Sequence, residues 1–309
     1  MRILMTGGTS GIGLVAARRL MALGHAVTIG ARRPGEVPAD LKSKAAIVPL
    51  DLADLVGVER FVEAAAAAPA YDVMVLNAGL QVTSPQRSAQ GLDLTFAANH
   101  LAHFLIARRL APRLDPGGRV VITSSGTHDP ETKSGMPPPL DADALRLAHP
   151  ETDPKRDANA GTAGRRAYSS SKLCNVMTAR ELAKRLADTR PDIAVAAYDP
   201  AFVPATGLAR GYPAPARFLV SRILPTLLRG REWVSTPEVS GAHLARLASA
   251  PEYGTARGGY FSVRSLALRE VQPSALARDD DACARLWDDS AALLAELGVA
   301  THPVAEVAA

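Results

Sequence analysis

Tyr168 and Lys172 stand four residues apart in Tyr168-Ser169-Ser170-Ser171-Lys172. On a helix that spacing puts both side chains on one face. A cation held beside a phenol favours the phenolate. Free tyrosine ionises near pH 10, and proton transfer near neutrality needs a lower value. Lowering it by roughly 3 units asks for about 4 kcal/mol of differential stabilisation. The pair therefore reads as a general acid/base: a phenol that moves a proton and an ammonium that tunes it, with the helix N-terminus contributing. Upstream, Val120-Val121-Ile122-Thr123 is an apolar strand tipped by Ser124 and Ser125. Tyr-x-x-x-Lys alone also describes an ordinary helix face, so its weight comes from what precedes it.

The first residues supply that context. Ile3-Leu-Met-Thr6 is an apolar run, followed by a turn with Gly7, Gly11 and Gly13 and then by the helical pattern from Leu14 to Met21. Strand, glycine turn and helix in this order put a pyrophosphate on backbone N–H groups at a helix N-terminus. The second strand ends in Gly30-Ala31-Arg32-Arg33, and no acid follows until Glu36. In dinucleotide folds an acid at this point binds the ribose 2′-OH of NAD, whereas arginine accommodates the 2′-phosphate of NADP. A guanidinium fork suits phosphate. NADP(H) is favoured over NAD(H), with Arg32 or Arg33 as the reader.

These residues need elements to hold them. Hydrophobic periodicity predicts strands at 2–6, 26–30, 46–50, 73–76, 119–123, 193–198 and 259–262. It predicts helices at 11–23, 56–67, 90–114, 166–187, 237–250 and 273–297. Alternating strands and helices with short loops imply an α/β fold, a doubly wound parallel sheet with helices on both faces. Ligands bind such sheets outside the carboxyl ends of the strands, where all these motifs fall. Two stretches break the rhythm: an insertion at about 126–165, with a short helix at 141–149, and a proline-rich stretch at about 200–232, read as a substrate lid. The 309 residues are expected to form a single domain, 1–309.

Composition narrows the function classes. The net charge of +4 is spread out, with no long basic run, so no nucleic-acid partner is expected. Cys174 and Cys283 make neither a disulfide framework nor metal-ligand spacing. With no signal-like opening and no apolar stretch near ~18 residues, a cytoplasmic protein without a transmembrane segment is expected.

Thr6-Gly7-x-x-x-Gly11-x-Gly13, Asn77-Ala78-Gly79, Ser125 and Tyr168-x-x-x-Lys172, in this order, resemble the short-chain dehydrogenase/reductase family in its non-extended branch. The likeness covers nearly the whole chain, loosely in the loops. It implies a Rossmann fold and a catalytic set of Asn99, Ser125, Tyr168 and Lys172. Ser125 would hold the substrate oxygen, and the Asn99 carbonyl would hold a water in a relay toward Lys172. Ser124 is read as structural, as are His100 and His103. Cofactor contacts are implied for Gly7, Thr9, Ser10, Gly11, Ile12, Gly13, Arg32, Arg33, Asp51 and Leu52 (adenine), Asn77, Ala78, Gly79, Tyr168, Lys172, Pro200, Val203 and Thr206. The expected activity is NADP(H)-dependent interconversion of a carbonyl and an alcohol on a mid-sized hydrophobic substrate, with Phe202, Tyr212, Phe218, Leu219 and Ile223 as lining.

Ala167 to Asn175 and Thr206-Gly207-Leu208 are similar to the retinol dehydrogenase and light-dependent protochlorophyllide reductase branch. Departures are Ala201 where the family has the glycine of Pro-Gly, Phe202 where the pigment enzymes have cysteine, and Ala205 where a threonine commonly touches the nicotinamide amide. Alternatives are light-dependent reduction of a pigment ring double bond and a non-catalytic NADP(H)-binding redox sensor. The helices at 90–114 and 166–187 form dimer faces in many relatives, and the insertion could block them, so a homodimer and a monomer both stand.

Overall fold

A strand buried on both faces needs helices above and below it, and β5 shows this most plainly: all five of its residues are buried. The computed structural model describes residues 1–204, 228 and 230–299. Its elements are β1 (Arg2–Thr6), α1 (Gly11–Ala22), β2 (Ala26–Ala31), α2 (Ala39–Lys42), β3 (Ala46–Pro49), α3 (Leu55–Ala67), β4 (Val73–Leu76) and α4 (Leu94–Phe96). A π turn (Ala97–Leu101) leads into α5 (Ala102–Leu110), β5 (Arg119–Thr123), α6 (Ala144–Ala148), α7 (Ala160–Leu186) and β6 (Ala194–Asp199). The chain then gives α8 (Pro237–Ser249), β7 (Arg257–Arg264), β8 (Ala267–Val271) and α9 (Asp280–Glu296).

The strands form one eight-stranded sheet in the order β3-β2-β1-β4-β5-β6-β7-β8. All pairings are parallel except β7 with β8. The chain runs outward from β1 to β3, returns to β4 on the other side of β1, and runs outward again. The switch point therefore lies between β1 and β4, where the carboxyl ends open a crevice. One core packs Leu4, Met74, Val120 and Val195 with α3, α5, α7 and α9. The other packs Ile3, Val75, Val121 and Tyr198 with α1 and α8. No helix among the described residues is long and apolar enough to cross a membrane.

Several boundaries differ from the periodicity reading. The expected helix at 90–114 begins at Leu94, because the Asp93 carboxylate accepts from Phe96 N–H (2.9 Å) and caps it. Pro112 turns its far end into a 3₁₀ turn. Helix α7 starts at Ala160, six residues before the expected start at Arg166, capped by the Asn159 side chain. The last helix begins at Asp280 behind an Asp279 cap. The sheet is not wholly parallel, because β8 returns through a hairpin. Its turn residues Ser265 and Leu266 both have positive φ (48° and 63°). Such turns favour glycine or asparagine, and neither is present to mark it.

The insertion at 126–165 holds short 3₁₀ turns, α6 with buried Ala144 and Ala148, and the start of α7. Arg146 pairs with Asp141 and with Asp153 (2.9 Å). Most of the expected lid, including Thr206, Tyr212, Phe218, Leu219 and Ile223, lies outside the described residues.

Helices α1 and α8 meet where Gly241 lies against Val15. A Cβ at Gly241 would stand 2.5 Å from the Val15 Cβ and 2.8 Å from the Ile12 carbonyl oxygen. Gly241→Ala is expected to cost about 1–3 kcal/mol through overpacking. It would appear as a lower urea midpoint with an unchanged denaturant slope.

Candidate active site

The glycine turn sits at the switch point, and its shape depends on missing side chains. A Cβ at Gly13 would lie 2.0 Å from the Gly7 carbonyl oxygen and 2.5 Å from Asn77 Nδ2. Gly7 has φ +68° and packs on the backbone of Ala78. Ser10 is the N-cap of α1, with extended backbone and no side-chain bond to the helix. The first N–H groups of α1, near Thr9 to Gly13, have no partner within the helix and form a cradle for an anion. At the end of β2, exposed Arg33 pairs with Glu36 (2.8 Å). Arg32 is exposed and makes no hydrogen bond or ion pair among the described residues. Asp51 is exposed, with one oxygen accepting from Ala53 N–H (3.0 Å), beside half-buried Leu52.

Hydrogen bonds lock this edge together. Thr6 Oγ1 accepts from Asn77 N–H (3.0 Å) and Ala78 N–H (3.1 Å). Asn77 Nδ2 donates to the Gly7 carbonyl (3.2 Å), and Thr123 Oγ1 donates to Asn77 Oδ1 (3.2 Å). The turns after β1 and β4 are thus fixed to each other and to the end of β5.

Tyr168 and Lys172 lie buried on one face of α7, with Lys172 Nζ 5.6 Å from the Tyr168 ring centroid. Nζ donates to the Thr123 carbonyl (3.1 Å), which also accepts from Asn175 Nδ2 (3.0 Å). Burial pushes the Lys172 ammonium down to about 8, and the carboxylate of Asp199 acts in the opposite direction. The helix N-terminus lies more than two turns before Tyr168, and a macrodipole fades within the first turn. Lys172, not that terminus, is therefore the nearby positive field.

The two serines at the end of β5 differ. Ser124 is buried and donates to the Lys172 carbonyl (2.7 Å). Ser125 is half-buried, and its hydroxyl oxygen accepts a long bond from Thr127 N–H (3.3 Å). The Asn99 side chain is fully used: Oδ1 accepts from Leu80 N–H (2.8 Å), and Nδ2 donates to the Leu80 carbonyl (2.9 Å) and Ser171 Oγ (3.0 Å). Gly79 completes this cluster; a Cβ there would be 3.3 Å from Lys172 Nζ.

Two buried histidines were not legible as site residues. His128, three residues after Ser125, donates from Nδ1 to the Ser125 carbonyl (2.7 Å) and accepts at Nε2 from Ser274 N–H (3.2 Å). His103, read as structural, contacts both Thr6 and the Asn99 carbonyl. His100 keeps its structural reading, stacked near Phe96 and Phe104 with Nε2 against Ser290 Oγ (2.9 Å). The spacing from Asn99 and Ser125 was a signal; the distant partners left none.

Beyond β6, Pro200 accepts from Ser240 Oγ (2.7 Å), Val203 is buried, and Thr206 lies outside the described residues. Ala201, which replaces the family's glycine, has φ +63°. The Asp199 carboxylate takes up its N–H (3.0 Å) and the Ser262 hydroxyl (2.7 Å).

Comparison with known proteins places the chain in a family. Residues 1–135 match the short chain dehydrogenase family. A provisionally named daunorubicin C-13 ketoreductase from Streptomyces sp. (strain C5) is 32% identical, over 95% of this chain and 92% of its own. Protochlorophyllide reductase from Avena sativa is 31% identical, over 94% of this chain and 99% of its own. The structure of a short chain dehydrogenase from Burkholderia cenocepacia in complex with NADP superposes with a TM-score of 0.60 at 24% identity, covering 85% of this chain and 96% of that one. The chain belongs to the short-chain dehydrogenase/reductase family.

An alanine at positive φ carries a steric cost that glycine does not. Ala201→Gly is expected to stabilise the protein by about 1 kcal/mol. The check is a raised thermal midpoint with unchanged unfolding cooperativity.

Proposed function

We propose that the protein is an NADP(H)-dependent oxidoreductase that interconverts a carbonyl and an alcohol on a mid-sized hydrophobic substrate. The observation that carries this is the buried Tyr168–Lys172 pair, hydrogen-bonded to the end of β5 beside Ser125. The glycine turn at the switch point suits a dinucleotide phosphate, and its close packing needs Gly13, where a Cβ would collide with the Gly7 carbonyl.

NADP(H), when bound, supplies or takes the hydride. Tyr168 moves the proton at the substrate oxygen. Ser125 donates a hydrogen bond to that oxygen and fixes its place. Lys172, held by the Thr123 carbonyl, favours the ionised phenol and would hold the nicotinamide ribose. Ser124 stays with the backbone of α7. Asp51 and Leu52 would hold the adenine, and Asn77, Ala78, Gly79, Pro200 and Val203 would line the nicotinamide half. Arg32 is the better reader of the 2′-phosphate, because Arg33 is already engaged by Glu36.

The ketoreductase relative supports carbonyl chemistry. Phe202 and Trp233, both partly exposed with ring centroids 5.9 Å apart, suggest an apolar substrate. Helix α9 lies over the faces of α5 and α7, with Trp287 edge-on to Phe104 (4.8 Å) and Asp288 paired with Arg185 (2.9 Å). That cover favours the monomer over the homodimer.

Incubation with NADPH and ketones, aldehydes, quinones, retinal, steroids and protochlorophyllide tests the reading, following reduced-nicotinamide absorbance in darkness and in light. Dark turnover is expected, and Tyr168→Phe is expected to lose at least about 100-fold while still binding NADPH. Turnover only in light would replace this reading with pigment reduction. Binding without turnover of any substrate would replace it with the redox sensor.

Arg32→Ala is expected to weaken NADPH binding about 10- to 100-fold, the loss of charge-assisted bonds to phosphate, and to leave NADH binding unchanged. Arg33→Ala is expected to do less. Equal losses for both cofactors in a titration would reject a 2′-phosphate role for Arg32.

A further inference from the structure

His103 is buried one helical turn after Asn99. Its Nε2 lies 3.0 Å from Thr6 Oγ1 and its Nδ1 lies 3.1 Å from the Asn99 carbonyl oxygen. The protonation pattern follows from the partners. Thr6 Oγ1 already accepts two N–H bonds, from Asn77 and Ala78, so its own hydrogen is what it offers to Nε2. The carbonyl of Asn99 only accepts, so Nδ1 carries the proton. Burial first, and then the charge of Lys172, holds the imidazole pKa down to about 3. The ring is therefore neutral at physiological pH.

The Asn99 carbonyl belongs to a π turn. In an α-helix, each backbone N–H reaches the carbonyl four residues back. Here the pairing has slipped, and Ala102 N–H reaches the Ala97 carbonyl, five residues back. The chain of donors continues past Asn99. Its Nδ2 donates to Ser171 Oγ (3.0 Å), and Ser171 Oγ donates to the Tyr168 carbonyl (2.8 Å). Four successive hydrogen bonds thus lead from the glycine turn to the backbone of Tyr168.

We propose that His103 is a positioning residue, which ties the glycine turn to the Asn99 carbonyl and so holds the dinucleotide cradle and the Tyr168–Lys172 pair in one geometry. The proposal rests on the NADP(H)-dependent reading above. It divides the imidazole into two functions. The Nε2 side holds Thr6, and through it the turns after β1 and β4 that would carry the dinucleotide. The Nδ1 side holds the π turn, and through Asn99 and Ser171 the place of Tyr168.

Three full-length variants separate these functions. His103→Leu breaks both bonds and is expected to weaken NADPH binding and to lower kcat, each roughly 5- to 10-fold. His103→Asn keeps a donor at the Nδ1 position, so it is expected to recover kcat more than NADPH affinity. His103→Gln keeps an acceptor at the Nε2 position, so it is expected to recover NADPH affinity more than kcat. Asn and Gln variants that fold but match Leu in both readouts would overturn the proposal, as would a folded Leu variant with wild-type values.

Nitrogen NMR of the wild-type imidazole gives a readout that requires no substrate. A ring protonated at Nδ1 only and unchanged between pH 5 and 9 supports the assignment, and an Nε2–H ring overturns it. The failures are distinguishable. Wild-type protein that binds NADPH but reduces nothing would reject the carbonyl reading, and the affinity pattern would still decide on His103. Wild-type protein that does not bind NADPH would overturn both.

Discussion

The buried ammonium of Lys172 is the constraint around which the site is built. An ionised side chain taken out of water needs partners, or it gives up its charge. Lys172 stays just on the charged side of neutrality, with burial and the opposing field of Asp199 meeting near pH 8. Among the described residues it donates to the carbonyl of Thr123, the last residue of β5. Ser124 follows it, with its N–H still on the Tyr198 carbonyl (2.6 Å) and its hydroxyl on the α7 backbone. The strand end, the helix and the charge are therefore one arrangement, and Tyr168 takes its place from it.

A second feature is the use of neutral hydrogen bonds to fix backbone where the chain leaves the strands. Buried backbone groups beyond the strand ends must find partners outside the sheet ladder. Asn77 bridges β1 and β5, Asn99 clamps Leu80, and His128 and His103 each meet a carbonyl of a candidate catalytic residue. Both imidazoles donate from Nδ1 and accept at Nε2, which suits a ring too buried to hold charge. Side chains so fully engaged lose rotamer freedom, and this rigidity is what pre-organised chemistry requires.

Much of this was legible in the residue order because each motif is local. The glycine turn, the serines after β5 and Tyr168-x-x-x-Lys172 lie within single strand–turn–helix units, so spacing alone placed them on the correct edge. Contacts between residues far apart in the chain were not legible. Thr6 meets His103 across 97 positions, and Ser274 meets His128 across 146. Nothing in local periodicity marks such partners. The π turn was hidden for another reason: Ala97-Ala98-Asn99-His100-Leu101 keeps a helical pattern, and a one-residue slip in pairing changes no residue type. The β7–β8 hairpin was hidden because Ser265 and Leu266 occupy conformations that their types seldom choose.

The turn after β6 shows how a departure from a family pattern is absorbed. The family resemblance implies a glycine after Pro200, and this chain places Ala201 there at φ +63°. The side chain of Asp199 takes up the Ala201 N–H and fixes the turn from one residue outside it, as an aspartate does in an Asx turn. The other oxygen of the same carboxylate holds Ser262 on β7. That buried negative charge is also what favours the ammonium of Lys172. A steric cost at one residue is thus offset by an aspartate whose charge acts on the candidate catalytic lysine. Replacing Asp199 by a neutral residue would have to be judged on the turn and on the lysine together, because a single carboxylate serves both.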